Sequence, residues 1–184
     1  MLKILNVIAF TGMPFSGKTE AVKIAKRMDI PVVRMGDMIW EETRNRGLKL
    51  SDKNVGVIAS QMREKNGKDI WARRTLEKIK SIGEIEAIVI DGIRNIEEID
   101  FLKRNLRGKF TVIAIETSDK IRQKRALFRN REDDNKDLNK IIKRDKRELG
   151  WGLGEVIASA DTVILNEGGI KPFRRKIREI LERR

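Results

Sequence analysis

Apolar positions divide the chain into short runs rich in Ile and Val, separated by longer polar stretches of helical spacing. The runs cover residues 4–10, 31–34, 85–90, 110–115 and 162–165. None alternates cleanly between apolar and polar, which is the pattern of strands buried on both faces of a parallel sheet. Helical spacing covers 18–28, 37–46, 52–65, 68–82, 96–106 and 119–129, and 171–184 closes the chain as an amphipathic helix through Phe173, Ile177, Ile180 and Leu181. Strands that alternate with helices predict βαβ units, and so an α/β fold with a parallel sheet between two helical layers.

More helix lies between the second and third runs than a minimal crossover needs. Residues 35–84 therefore form a candidate acceptor-binding insertion, and the arginine-rich stretch 119–149 a candidate lid. No repeat, low-complexity tract or linker interrupts the sequence, so one domain over 1–184 is expected.

Composition narrows the chemistry. The absence of Cys and His excludes disulfides, thiolate or imidazole metal sites and a histidine base, leaving carboxylates, Lys, Arg, hydroxyls and backbone. An excess of 41 Lys and Arg over 28 Asp and Glu, net +13, favours anionic partners: nucleotides, phosphorylated metabolites or nucleic acid. With only 5% aromatic residues there are few base-stacking platforms, so nucleic acid stays open without being favoured. A charged fraction of 38% suits a heat-adapted cytoplasmic protein. No apolar run is long enough to cross a bilayer, and residues 1–10 read as a strand rather than a targeting segment.

The candidate chemistry begins at Gly12-Met13-Pro14-Phe15-Ser16-Gly17-Lys18-Thr19, which satisfies G-x-x-x-x-G-K-[ST] between a strand and a helix. Glycines let the backbone curl so that N–H groups face phosphates at a helix N-terminus. Lys18 is expected to reach the β- and γ-phosphates of ATP, and the Thr19 hydroxyl to ligate Mg²⁺ directly. Phe15 stands where many such loops carry another glycine, so its backbone is expected to avoid positive φ.

Beyond this motif the sequence resembles adenylate kinases and dephospho-coenzyme A kinases, and more closely an archaeal family related to adenylate kinase. The resemblance runs through most of the chain and implies the P-loop nucleoside-monophosphate kinase fold, with five parallel strands in the order 2-3-1-4-5. Gly36-Asp37-Met38-Ile39 is similar to the G-D-M-L stretch that opens the helix of the monophosphate site, where Asp37 can cap the helix. The arginine that follows in adenylate kinases is here Trp40, and the preceding threonine is Met35; Arg34 and Arg44 flank the gap as substitutes. Asp91-Gly92-Ile93-Arg94 resembles D-G-F-P-R, with Asp91 placed to orient Mg²⁺-bound water and Arg94 to grip the acceptor phosphate. Arg122, Arg125 and Arg129 form an i, i+3, i+7 stripe that an anion would neutralise, and Arg125 and Arg129 resemble the lid arginines that stabilise the transferring phosphoryl group. Arg144 and Arg147 form a second pair, with Glu148 four residues after Arg144 as a partner. Residues 160–169, with Asn166 and Gly168, resemble the adenine-packing loop of dephospho-coenzyme A kinases.

Transfer to a monophosphate needs no general base, whereas transfer to a hydroxyl uses a carboxylate. Of the aspartate pair that serves dephospho-coenzyme A kinases only Asp37 remains, so a nucleoside monophosphate is the favoured acceptor. A sugar hydroxyl with Asp37 as base is the alternative. An ATP-dependent regulatory or nucleic-acid-associated protein is the reading from another class.

Overall fold

The computed structural model describes residues 3–128 and 137–183. In chain order it runs β1 (Lys3–Thr11), α1 (Lys18–Arg27), β2 (Val32–Arg34), α2 (Met35–Asn45), α3 (Asp52–Asn66), α4 (Ile70–Lys80), β3 (Ile85–Asp91), α5 (Ile96–Asn105), β4 (Arg107–Glu116), α6 (Asp119–Phe128), α7 (Leu138–Gly150), α8 (Leu153–Ala158), β5 (Thr162–Leu165) and α9 (Ile170–Glu182). The strands form one five-stranded sheet, order β2-β3-β1-β4-β5, and their pairings are parallel. This is the expected fold.

The sheet's pleat explains why its strands read as continuous apolar runs. Val7 and Ala9 of β1 and Ile88 and Ile90 of β3 pack toward α3, α4 and α5, against Ile58, Trp71, Ile79 and Leu102. The alternate residues Ile8, Phe10, Ala87 and Val89 face α1 and α9, against Ala21, Ile24, Phe173 and Ile177. Each face thus buries its own apolar set, which fixes the strand register because a one-residue slip would exchange the two.

That register builds the site. Asp91 ends β3 opposite Phe10 of β1 on one side and Arg34 of β2 on the other. The loop from β1 into α1 therefore opens at the carboxyl ends of the strands, beside the point where strand order reverses, where ligands bind in open α/β sheets.

Some local expectations are corrected. Helix α2 starts at Met35 rather than 37, its N-cap is Arg34, and no side chain caps it. Asp37 is thus not a cap; it lies in the first turn, where its charge suits the helix dipole. The short helix α8 has no counterpart among the expected elements. No helix among the described residues is long and apolar enough to cross a membrane.

Candidate functional site

Two glycines of the β1–α1 loop are required by its shape. At Gly12 (φ 135°) a Cβ would run into the Ile115 carbonyl, and at Gly17 (φ 121°) into the Asn166 carboxamide. Phe15 overturns its expectation: its backbone is left-handed, at φ 65°. Strain of about 1–2 kcal/mol is normal there for a residue with a Cβ. Burial of the Phe15 ring against Ala126 of α6 and Ile141 of α7 offsets it.

Three donors converge on the Ser16 carbonyl: Asn166 Nδ2 at 2.8 Å, Thr117 Oγ1 at 3.0 Å and Arg125 Nη1 at 3.1 Å. The Pro14 carbonyl accepts from Arg122 Nη1 at 3.0 Å. These bonds hold the loop's carbonyls from the residue after β4, from α6 and from the segment after β5.

Lys18 is buried, and its ammonium folds back onto the loop, donating to the carbonyls of Gly12 (2.5 Å) and Met13 (2.8 Å). Burial, with the Arg94 guanidinium adding to it, lowers its pKa to about 7, while Asp91 and Glu148 oppose the shift.

Asp91 lines the same cavity as Lys18 and Thr19. Its Oδ2 lies 3.7 Å from Arg34 Nε, and its Oδ1 is buried with no hydrogen-bond partner. No cluster of three or more acidic residues able to hold a metal ion occurs among the described residues. Mg²⁺ in nucleotide sites is held by one or two protein groups plus phosphates and water, so Thr19 with the unpartnered Asp91 oxygen fits that ion.

Across the cavity stands a wall of arginines. Five cationic residues line it (Lys18, Arg34, Arg94, Arg144 and Arg147) against three acidic ones, Asp52, Asp91 and Glu148. Arg147 Nη2 contacts Asp52 Oδ1 at 2.7 Å across the gap between α7 and α3, and Gly56 on α3 gives the guanidinium room to lie against the helix. Arg94 Nε is 2.7 Å from Glu148 Oε2, and Arg144 Nε donates to Glu148 Oε1 at 3.0 Å. Burial alone would raise the Glu148 pKa, but Arg94, Arg144 and Lys18 outweigh it and hold the carboxyl at about 2.

The other expected acceptor residues are less central. Asp37 is half-exposed, paired with Arg34 at 3.2 Å, and outside the cavity lining. Arg44 is exposed and flanks the Trp40 ring, 5.9 Å from its centroid. Met35 is core, whereas Trp40 reaches the cavity.

Within the arginine stripe of α6, Arg122 is neutralised by the protein's own carboxylates. Arg122 is buried, held by Asp145 (2.7 Å) and Asp119 (2.5 Å), and supports the loop instead of facing an anion. Arg125 donates to the Asn166 carbonyl at 2.9 Å as well as to Ser16, and burial lowers its pKa. Arg129 lies outside the described residues. Asn166 is buried against the phosphate loop, Gly168 lies in an exposed turn, and Glu167 ties that segment to the backbone N–H of Ser118. Sequence reasoning missed Asp52 and Gly56 as cavity residues, since nothing local distinguishes them from an ordinary helix start and a helix glycine.

A family model described as the AAA domain matches residues 11–141. The chain is 39% identical over 178 residues to a UPF0200 protein of Methanosarcina acetivorans, covering 97% of this chain and 95% of that one. It is 41% identical over 182 residues to a UPF0200/UPF0201 protein of Archaeoglobus fulgidus, covering 98% of this chain, and spans only 56% of that protein's length. Among solved structures it is similar to TT1252 from Thermus thermophilus (TM-score 0.64, 16% identity, 98% of both chains). It is also similar to the shikimate kinase of Acinetobacter baumannii in complex with shikimate (TM-score 0.55, 16% identity, 97% of this chain and 93% of that one). At these identities the likeness shows the fold alone, the P-loop kinase arrangement of a parallel sheet between helices.

Proposed function

The chain belongs to the UPF0200 family, and we propose that it transfers a phosphoryl group from ATP to a small phosphorylated acceptor, with a nucleoside monophosphate as the favoured class. Lys18 leaves the carbonyls of Gly12 and Met13 to bind the β- and γ-phosphates. Thr19 and, through water, Asp91 would hold Mg²⁺, which would supply positive charge to offset that of the phosphate oxygens. Arg34 at the end of β2 and Arg94 in the loop after β3 bind the acceptor beside helices α2–α4, α6 and α7 act as the lid, and Asn166 and Gly168 flank the adenine. Resemblance to adenylate kinases at residues 36–39 and 91–94 supports the same acceptor class.

The observation that carries this reading is that the carboxylates on the acceptor side are occupied. Asp52 is paired with Arg147, Glu148 with Arg94 and Arg144, and Asp37 with Arg34. A hydroxyl acceptor needs a carboxylate available to take its proton, whereas a phosphate acceptor is already anionic. Asp91 supports a second reading, because its pairing with Arg34 is the loosest of these, at 3.7 Å, and its Oδ1, without a hydrogen-bond partner, could serve a hydroxyl as base in place of Asp37.

The test is an ADP-release assay with ATP and Mg²⁺ over nucleoside monophosphates, dephospho-coenzyme A and small hydroxyl metabolites, with Lys18→Ala as control. Stimulation by a monophosphate is expected. Stimulation only by hydroxyl compounds shifts the assignment to the second reading, and none above basal hydrolysis leaves an ATP-dependent switch.

A further inference from the structure

Glu148 is a buried carboxylate that the proposed transfer does not itself use; it is ion-paired with two arginines, by a hydrogen bond at Oε1 and by charge alone at Oε2. Oε2 meets Arg94 Nε at 2.7 Å, and Oε1 meets Arg144 Nε at 3.0 Å, both guanidinium groups lining the cavity that holds Lys18. Arg94 is held a second time, because its backbone N–H donates at 2.7 Å to Glu98 Oε2, and Glu98 is itself fully buried and paired with Arg63 at 2.8 Å. Two buried carboxylates, from α5 and α7, thus fix one arginine. Its Nη1 donates to the Ile93 carbonyl at 3.2 Å, and the residue lines the cavity. Buried ion pairs are poor stabilisers compared with apolar packing. An arginine whose backbone and guanidinium are each tied to a buried carboxylate, and which lines a cavity, is suited to a ligand oxyanion, which such a fork binds with strong geometric preference.

We infer that Glu148 is a positioning residue that fixes Arg94, together with Arg144, as a receptor for the phosphate of the acceptor, so that the site takes a phosphorylated compound and rejects its unphosphorylated counterpart. The inference rests on the phosphotransfer reading for its ligand class. Its test separates the two by measuring binding as well as turnover.

AMP, CMP, inorganic phosphate and the nucleosides adenosine and cytidine are titrated into the intact protein saturated with a non-hydrolysable ATP analogue and Mg²⁺, and steady-state kinetics are run with ATP. Wild type is expected to bind at least one monophosphate at least tenfold more tightly than its nucleoside. Glu148→Gln is expected to weaken monophosphate binding and raise acceptor KM by about tenfold or more, leave ATP KM within about twofold, and shrink the preference over the nucleoside. Glu148→Asp keeps the charge on a shorter stem, and it is expected to fall between the two and to serve if the Gln variant does not fold. A merely structural role would lower kcat through the active fraction while leaving acceptor KM and the phosphate preference as in wild type, and that result in either variant overturns the assignment. So does failure of wild type to bind any of the phosphate compounds. Binding with the expected variant pattern but no turnover would instead sink the phosphotransfer reading while supporting the receptor.

Discussion

Arg122 Nη1 donates to the carbonyl oxygen of Pro14 at 3.0 Å, so a side chain from the arginine-rich stretch supports the phosphate loop from the protein side. The same guanidinium is buried between Asp145 and Asp119. Its replacement by Ala leaves Asp145 and the loop carbonyl without their donor, the kind of loss that costs about 3–5 kcal/mol. Chemical denaturation of Arg122→Ala is expected to show that loss, and ATP affinity is expected to fall with it. Unchanged stability would mean the loop does not depend on this contact.

Phe15 makes a prediction of sign. Phe15→Ala loses the contacts with Ala126 and Ile141 while keeping the φ 65° strain, at a cost of about 3 kcal/mol. Glycine loses the same contacts but relieves the strain, worth about 1–2 kcal/mol. Phe15→Gly is therefore expected to be at least as stable as Phe15→Ala in thermal denaturation, the reverse of their order inside a helix.

Lys18 couples stability to pH. With its pKa lowered from 10.5 to about 7, the unfolded chain binds more protons than the folded one between those values, so this group's contribution to stability rises with pH across that window. Below pH 7 the whole penalty of burying the ammonium is present. Lys18→Met is expected to raise the melting temperature of the nucleotide-free protein most below pH 7, with the gap closing toward pH 10.5. Triphosphate binding favours the protonated amine, so calorimetry at pH 8 in buffers of different ionisation enthalpy should show proton uptake on ATP binding. Lys18→Met should lack it.

Gly56→Ala separates stability from binding. A Cβ there would lie 2.5–2.7 Å from the Arg147 guanidinium, which is the flexible end of its side chain and can move away from Asp52. Ala gains up to about 1 kcal/mol of helix propensity over Gly. Denaturation is expected to show little net change, while acceptor KM rises several-fold as the contact between α7 and α3 loosens.

Much of the frame was legible because it rests on local patterns. The apolar runs gave the strands, and G-x-x-x-x-G-K-[ST] located the loop because glycines, Lys18 and Thr19 must stand at fixed spacing around phosphates. The remainder depends on long-range packing. Spacing shows that Arg122 and Arg125 share a face of α6, but not that Asp145 and the loop carbonyls occupy that face. Arg144 and Glu148 could be paired from their i, i+4 spacing, while the third member, Arg94, arrives from the end of β3. The left-handed Phe15 was unreadable for the same reason: the burial that offsets its strain comes from α6 and α7.

The Ser16 carbonyl, with its three donors, bears on how the loop handles charge. In a planar trans peptide the N–H of Gly17 points opposite to that carbonyl, and the described residues contain no cis bond. Donors drawing electron density toward the oxygen polarise the whole peptide group and make its N–H a stronger donor. Under the proposed function, Asn166, Thr117 and Arg125 would thus act on a phosphate without touching it, by transmitting positive character through one amide plane to the Gly17 N–H.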